Sequence, residues 1–205
     1  IQTAKDALVK RELDAVDGEA TGWFVYSDAG TRIDPDELRR HVAWARRVGG
    51  TVLIEAACGD GKSHGCIKGF KDDADLRLLS IIPRTTLAAA MHSEYTEAGL
   101  VVFNYLDAQG VSDPKRKSAM RAGKSGIMSP ESCHVMPGDG FKQPFTVFFD
   151  EVCMTGRSVG GKDAPFTSER NKPQHGLKVL QTYTRGCREL IAADADLMQS
   201  AQTLD

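Results

Sequence analysis

Apolar and polar positions alternate along this chain in two distinct ways. In the stretch "DPDELRRHVAWARRVGG" (34–50), Leu38, Val42 and Ala45 recur at helical spacing. Asp34 is placed to cap that helix, Pro35 suits its first position, and Gly49 and Gly50 end it. Residues 3–16 carry Ala4, Ala7, Leu8 and Val16 on roughly one face, which predicts a second helix. "GWFVYSDAG" (22–30) reads as a short strand closed by turn residues. From residue 51 the pattern changes to short, unbroken apolar runs: "TVLIEA" (51–56), "LRLLSII" (76–82), "LVVFNYL" (100–106), "SGIMS" (125–129), "FTVFFD" (145–150) and "ELIAAD" (189–194). Runs of that kind suit strands buried on both faces. The segments between them, such as 86–98, are long enough for crossover helices. The expected fold is therefore α/β, a mostly parallel sheet flanked by helices. The polar, Gly- and Pro-containing stretch 155–176 predicts a long surface loop.

Composition narrows the picture only slightly. At 205 residues and a formal net charge of −2, the chain suits one domain, and overall charge selects neither nucleic acid nor membrane as a partner. No apolar run is long enough to span a bilayer, and the charged start predicts no signal peptide. The first residue is not Met, so a longer parent protein is expected. Five cysteines, an odd number without a CxxC pair, read as reduced intracellular thiols.

The chemistry concentrates in "EAACGDGKSHG" (55–65), which directly follows an apolar run. Ala56, four residues, Gly61, Lys62 and Ser63 fit the phosphate-loop pattern [AG]xxxxGK[ST], with Ala in place of the first glycine. Such a loop turns successive backbone N–H groups toward phosphate oxygens, and the next helix presents its positive end to them. Residues Ala57, Cys58, Gly59, Asp60, Gly61, Lys62, Ser63 and His64 are the candidate ATP-binding segment. Lys62 would reach the β- and γ-phosphates, and Ser63 would ligate Mg²⁺. A second GKS, in "AGKS" (122–125), has Ser118 at the first-glycine position and follows a basic run, not a strand. The other chemical element is "FTVFFDEV" (145–152), an apolar strand ending in Asp150 and Glu151. An Asp there can hold Mg²⁺ and the adjacent Glu can activate water.

In this order the motifs resemble the first motor domain of a superfamily-two helicase, and most of all the replication-origin-binding protein family of herpesviruses, other viruses and mobile elements. "EAACGDGKSHG" is similar to motif I, "IIPRTTLAAAM" to motif Ia, "GIMSPESCHV" to the segment ahead of motif II, "FTVFFDEV" to motif II and "ELIAADADLMQSAQTL" to motif III. The resemblance covers residues 51–205. It implies a RecA-like P-loop NTPase domain there, with residues 1–50 as an N-terminal helical and strand extension packed on it. It implies ATP and Mg²⁺ as cofactors, with Lys62 and Glu151 catalytic, and Ser63 and Asp150 on the metal. Arg84, Thr85 and Ser129 would face a DNA backbone, and Asp194 and Asp196 would couple nucleotide state to DNA. It further implies a second RecA-like domain in the full-length chain, weak or absent turnover without it, an intracellular setting in cytoplasm or nucleus, and a viral, phage or plasmid source. The Asp-Glu pair is followed by Val-Cys, where many such helicases carry a His.

Two other functions fit parts of the sequence. A small P-loop nucleotide kinase would use the basic stretch 113–124 (Lys115, Arg116, Lys117, Arg121, Lys124) as a lid; the same stretch, with Lys142 beyond it, also suits a nucleic-acid backbone or a solvated loop. A non-catalytic, nucleotide-gated DNA-binding module would bind ATP without turnover. Trp23, Phe24 and Tyr26 suit either a platform for adenine or the core.

Overall fold

The computed structural model describes residues 9–16, 19–26, 32–104, 118, 125–135, 144–155, 173–195 and 197. The strands are β1 (Val9–Val16), β2 (Glu19–Tyr26), β3 (Thr51–Glu55), β4 (Leu78–Ile81), β5 (Phe103–Asn104), β6 (Gly126–Met128), β7 (Thr146–Asp150) and β8 (Glu189–Asp194). The long helices are α1 (Pro35–Val48), α2 (Lys62–Phe70), α3 (Thr85–Glu97) and α4 (Pro173–Gly186). A 3₁₀ turn covers Pro130–Val135.

All eight strands join one sheet in the order β1-β2-β3-β8-β7-β4-β6-β5. β1 is antiparallel to β2, and every other neighbouring pair is parallel. This is the expected α/β architecture, a parallel sheet flanked by helices, and it is consistent with a RecA-like domain. Alternate side chains of each central strand enter different cores. Val52, Ile54, Phe148, Ile191 and Ala193 pack with Leu38 and Val42 of α1, Cys66 and Phe70 of α2, and Met91 and Tyr95 of α3. Leu79, Ile81, Val147, Phe149 and Ala192 pack with Val179, Leu180 and Tyr183 of α4 and with Cys133 of the 3₁₀ turn. Burial on both faces explains why these strands read as continuous apolar runs.

Part of the N-terminal segment is woven into this sheet, since Gly22–Tyr26 of β2 pair with Thr51–Glu55 of β3. The helix expected over 3–16 is corrected: Val9–Val16 is a strand, paired with β2 from Val9↔Tyr26 to Val16↔Glu19. Residues 1–8 lie outside the described residues. The loop expected over 155–176 is shorter at its far end, because Pro173 opens α4; residues 156–172 lie outside the described residues.

Helix α1 forms as its sequence directs. The Asp34 side chain accepts a hydrogen bond from the Asp36 backbone N–H at 2.9 Å, and Gly49 closes the helix at φ 76°. Helix α2 is short, and two of its nine residues are glycines that disfavour helix. Its stability comes from packing. A Cβ on Gly65 would lie 2.8 Å from Leu38 Cδ2, and one on Gly69 would lie 2.8 Å from Val42 Cβ. The two glycines thus let α2 lie directly against α1.

At the outer side of this pair, Trp23 of β2 meets Trp44 of α1 edge-on, with ring centroids 5.8 Å apart, and lies 5.3 Å from the His41 ring. Trp23 is therefore engaged in packing, the second of its two expected roles. Among the described residues no helix is long and apolar enough to cross a membrane.

Candidate nucleotide site

In a parallel sheet the carboxyl ends of the strands share one edge, where open α/β folds bind ligands. Here β3 ends at the candidate phosphate loop, β7 at Asp150 and β8 at Asp194, and β8 lies between the other two. The chain from 56 to 61 turns with Gly59 at φ 90° and Gly61 at φ 88°, a left-handed backbone that glycine adopts without strain. Lys62 then opens α2. The loop is fastened from outside. The Ile33 N–H donates to the Asp60 carbonyl at 3.0 Å, and the Arg32 side chain lies over Gly61.

Lys62 is buried, and its ammonium donates to the carbonyls of Ala56 and, at 3.0 Å, Ala57. Ser63 Oγ donates to Asp150 Oδ2 at 3.2 Å, across 87 positions of sequence. Asp150 is 4% exposed. Burial pushes its carboxyl up to about 6, against the smaller opposing effects of the Ser63 hydrogen bond and Lys62, with Glu151 and Asp194 adding to the rise. A buried carboxylate beside a hydroxyl, with its neighbouring ammonium committed to backbone carbonyls, fits a hard divalent cation such as Mg²⁺. Lys62, Ser63 and Asp150 therefore meet at one place, and Glu151 follows Asp150 in the chain.

Asp194 ties the site together. Its Oδ2 accepts from the Cys153 N–H and its Oδ1 from the Ala195 N–H, both at 2.7 Å, and its carbonyl accepts from the Ala56 N–H at 3.1 Å. One residue thus contacts both the start of the loop and the turn after Asp150. Asp196 lies outside the described residues.

The residues expected to face DNA are placed differently from one another. Arg84, just ahead of α3, is 60% exposed in its side chain, and its Nε lies 3.9 Å from Glu151 Oε2. Thr85 opens α3. Ser129 is buried and shares a hydrogen bond with Ser132 Oγ at 3.2 Å, which closes the 3₁₀ turn. Cys58 is exposed in the loop and His64 is exposed on α2. Cys66, on α2 below the loop, is buried, and desolvation raises its thiol well above the ordinary range. The lysines and arginines of 113–124, and Lys142, lie outside the described residues.

Sequence reasoning passes over three features of the site: the segment of Arg32 and Ile33 that holds the loop, the Arg84–Glu151 pair, and the backbone of Glu151. Glu151 has φ 54°, and among the described non-glycine residues it alone is left-handed. The Asp34-Pro35 helix start was a signal for the first, since it fixes where the preceding chain must arrive. A cavity of about 830 Å³ opens at the opposite edge of the sheet, lined in part by Arg46, Arg77, Thr146, Arg188 and Glu189. No protein-family model matches the chain, and no curated protein matches it.

Proposed function

We propose that this chain is the ATP-binding and ATP-hydrolysing motor module of a DNA helicase or translocase acting in replication, in line with its resemblance to the origin-binding family. The observation that carries this reading is the contact of Ser63 with Asp150 beside Lys62 and Glu151. Two segments distant in sequence, following β3 and β7 on either side of β8, bring a cation, a hydroxyl and a carboxylate together, with Glu151 next in the chain.

On this reading Lys62 exchanges loop carbonyls for β- and γ-phosphate oxygens. Ser63 and Asp150 hold Mg²⁺, which when bound offsets phosphate charge. Glu151 takes a proton from the attacking water. Asp194 transmits strand and loop displacements between the two segments it joins. Efficient turnover calls for a second RecA-like domain, which supplies an arginine to the transferred phosphoryl group. Single-turnover hydrolysis is accordingly the appropriate assay.

Binding of a fluorescent ATP analogue with Mg²⁺ tests the reading. Lys62→Ala is expected to weaken it about 10- to 100-fold, the worth of charge-assisted hydrogen bonds. Glu151→Gln should keep binding and slow hydrolysis by a factor on the order of 10²–10⁴. Wild-type affinity in Lys62→Ala would sink the proposal, and phosphorylation of AMP or a nucleoside would replace it with a kinase.

A further inference from the structure

Arg84 and Glu151 approach one another because β4 and β7 are paired neighbours, and each residue lies just past its strand. Their contact is long, at 3.9 Å from Nε to Oε2. Glu151 Oε2 is buried and makes no hydrogen bond among the described residues. Among the described residues the guanidinium is otherwise engaged only by Met154, with Nη2 3.3 Å from the thioether sulfur. The left-handed backbone at Glu151 is a conformation that L-residues hold only when surroundings impose it. Helix α3 begins immediately after Arg84, so this cation stands at the solvent-facing mouth of the site.

We infer that Arg84 is a positioning residue for Glu151 and that it answers to nucleic-acid phosphate. Without nucleic acid, Arg84 draws the Glu151 carboxylate toward itself. A phosphodiester arriving at the mouth accepts paired hydrogen bonds from the guanidinium, a better partner than a carboxylate 3.9 Å away. Glu151 is then released toward the phosphate loop. The looseness of the pair is what makes it switchable: at 3.9 Å it has no hydrogen bond to lose, and the Arg84 side chain, 60% exposed, is open to an arriving phosphate. This inference rests on the proposed function and adds to it the link between the nucleic-acid surface and the general base.

Linkage makes it testable without any turnover: if phosphate binding at Arg84 releases Glu151, then neutralising Glu151 must favour phosphate binding. Anisotropy of a labelled oligothymidylate, with no nucleotide present, is measured for the wild type, Glu151→Gln, Arg84→Ala, Arg84→Lys and the Glu151→Gln/Arg84→Ala double variant. Glu151→Gln is expected to tighten binding about two- to fivefold. Arg84→Ala should weaken it, reduce the salt slope by about one, and cancel the effect of Glu151→Gln, while Arg84→Lys keeps part of it. An unchanged affinity in Glu151→Gln, an equal gain in the Arg84→Ala background, or no oligonucleotide binding at all overturns the inference. If those failures occur while Lys62-dependent ATP binding persists, only the role of Arg84 falls. If that ATP binding is also absent, the reading of the site falls with it.

Discussion

The two edges of the sheet each bury a carboxylate, and they treat it in opposite ways. At the amino-terminal edge, Glu189 accepts a hydrogen bond from Thr146 Oγ1 at 2.5 Å and lies 3.3 Å from Arg46 Nε and 3.9 Å from Arg188 Nε. At the carboxyl-terminal edge, Asp150 is equally buried but has the Ser63 hydroxyl, and the nearby Lys62 ammonium is spent on carbonyls. A carboxylate surrounded by arginines holds a fold together. One buried without a cation of its own leaves the fold less stable than it need be, a cost that the proposed function explains by an external cation.

Substitution at the paired carboxylate should have the largest effect. Glu189→Ala removes the acceptor of the Thr146 hydroxyl and one of the two carboxylates paired with Arg46, the other being Asp73, and is expected to cost about 3–5 kcal/mol, read from urea unfolding. Asp150→Asn should move stability the other way, by about 2–3 kcal/mol at pH 8, while removing Mg²⁺-dependent nucleotide binding. The sign follows from the direction of the shift. The folded state holds the Asp150 proton up to about pH 6, above the ordinary 3.8, so it binds more protons than the unfolded chain in that interval. Stability therefore declines as pH rises from about 4 to 6 and levels off above, and the Asn variant lacks this decline. Under the proposed function, metal-dependent nucleotide binding should show the opposite slope, since it would need the carboxylate, and should weaken as pH falls below about 6. A wild type and an Asp150→Asn variant with the same stability between pH 4 and 8 would remove the contrast.

A somewhat smaller effect is expected at the seam that holds the phosphate edge. Gly69→Ala drives a methyl group into Val42, Gly65→Ala drives one into buried Leu38, and each should cost about 1–3 kcal/mol in thermal or urea unfolding. Smallest of all for stability is thiol modification. Iodoacetamide should label exposed Cys58 and spare buried Cys66, and bound ATP should protect Cys58, as peptide mapping would show.

The carboxyl-terminal edge was the more legible of the two in the sequence. Lys62, Ser63 and Asp150 sit in short patterns that chemistry forces to be local, and the strands bearing them are apolar because both faces are covered. The bounds of α1 and α2 follow from Asp34, Pro35, Gly49 and the glycine-rich turn. The paired edge was not legible, because Arg46, Thr146 and Glu189 meet only through strand order, and no local pattern encodes that. Val9–Val16 was open to misreading for a related reason: its few apolar residues fit a helical face as well as a strand. The sequence pair Asp17-Gly18 separates the two, being a strong hairpin signal. At the far edge, "LVVFNYL" yields a described strand of only two residues, Phe103–Asn104, with Val101 92% exposed.

The chain contains two tryptophans, and both stand at the junction of β2 with α1, in contact with each other and, through Trp23, with His41. Intrinsic fluorescence of this protein is therefore a local probe. It will record the undocking of β2 from α1 during denaturation. Occupancy of the phosphate loop calls for a dye placed elsewhere.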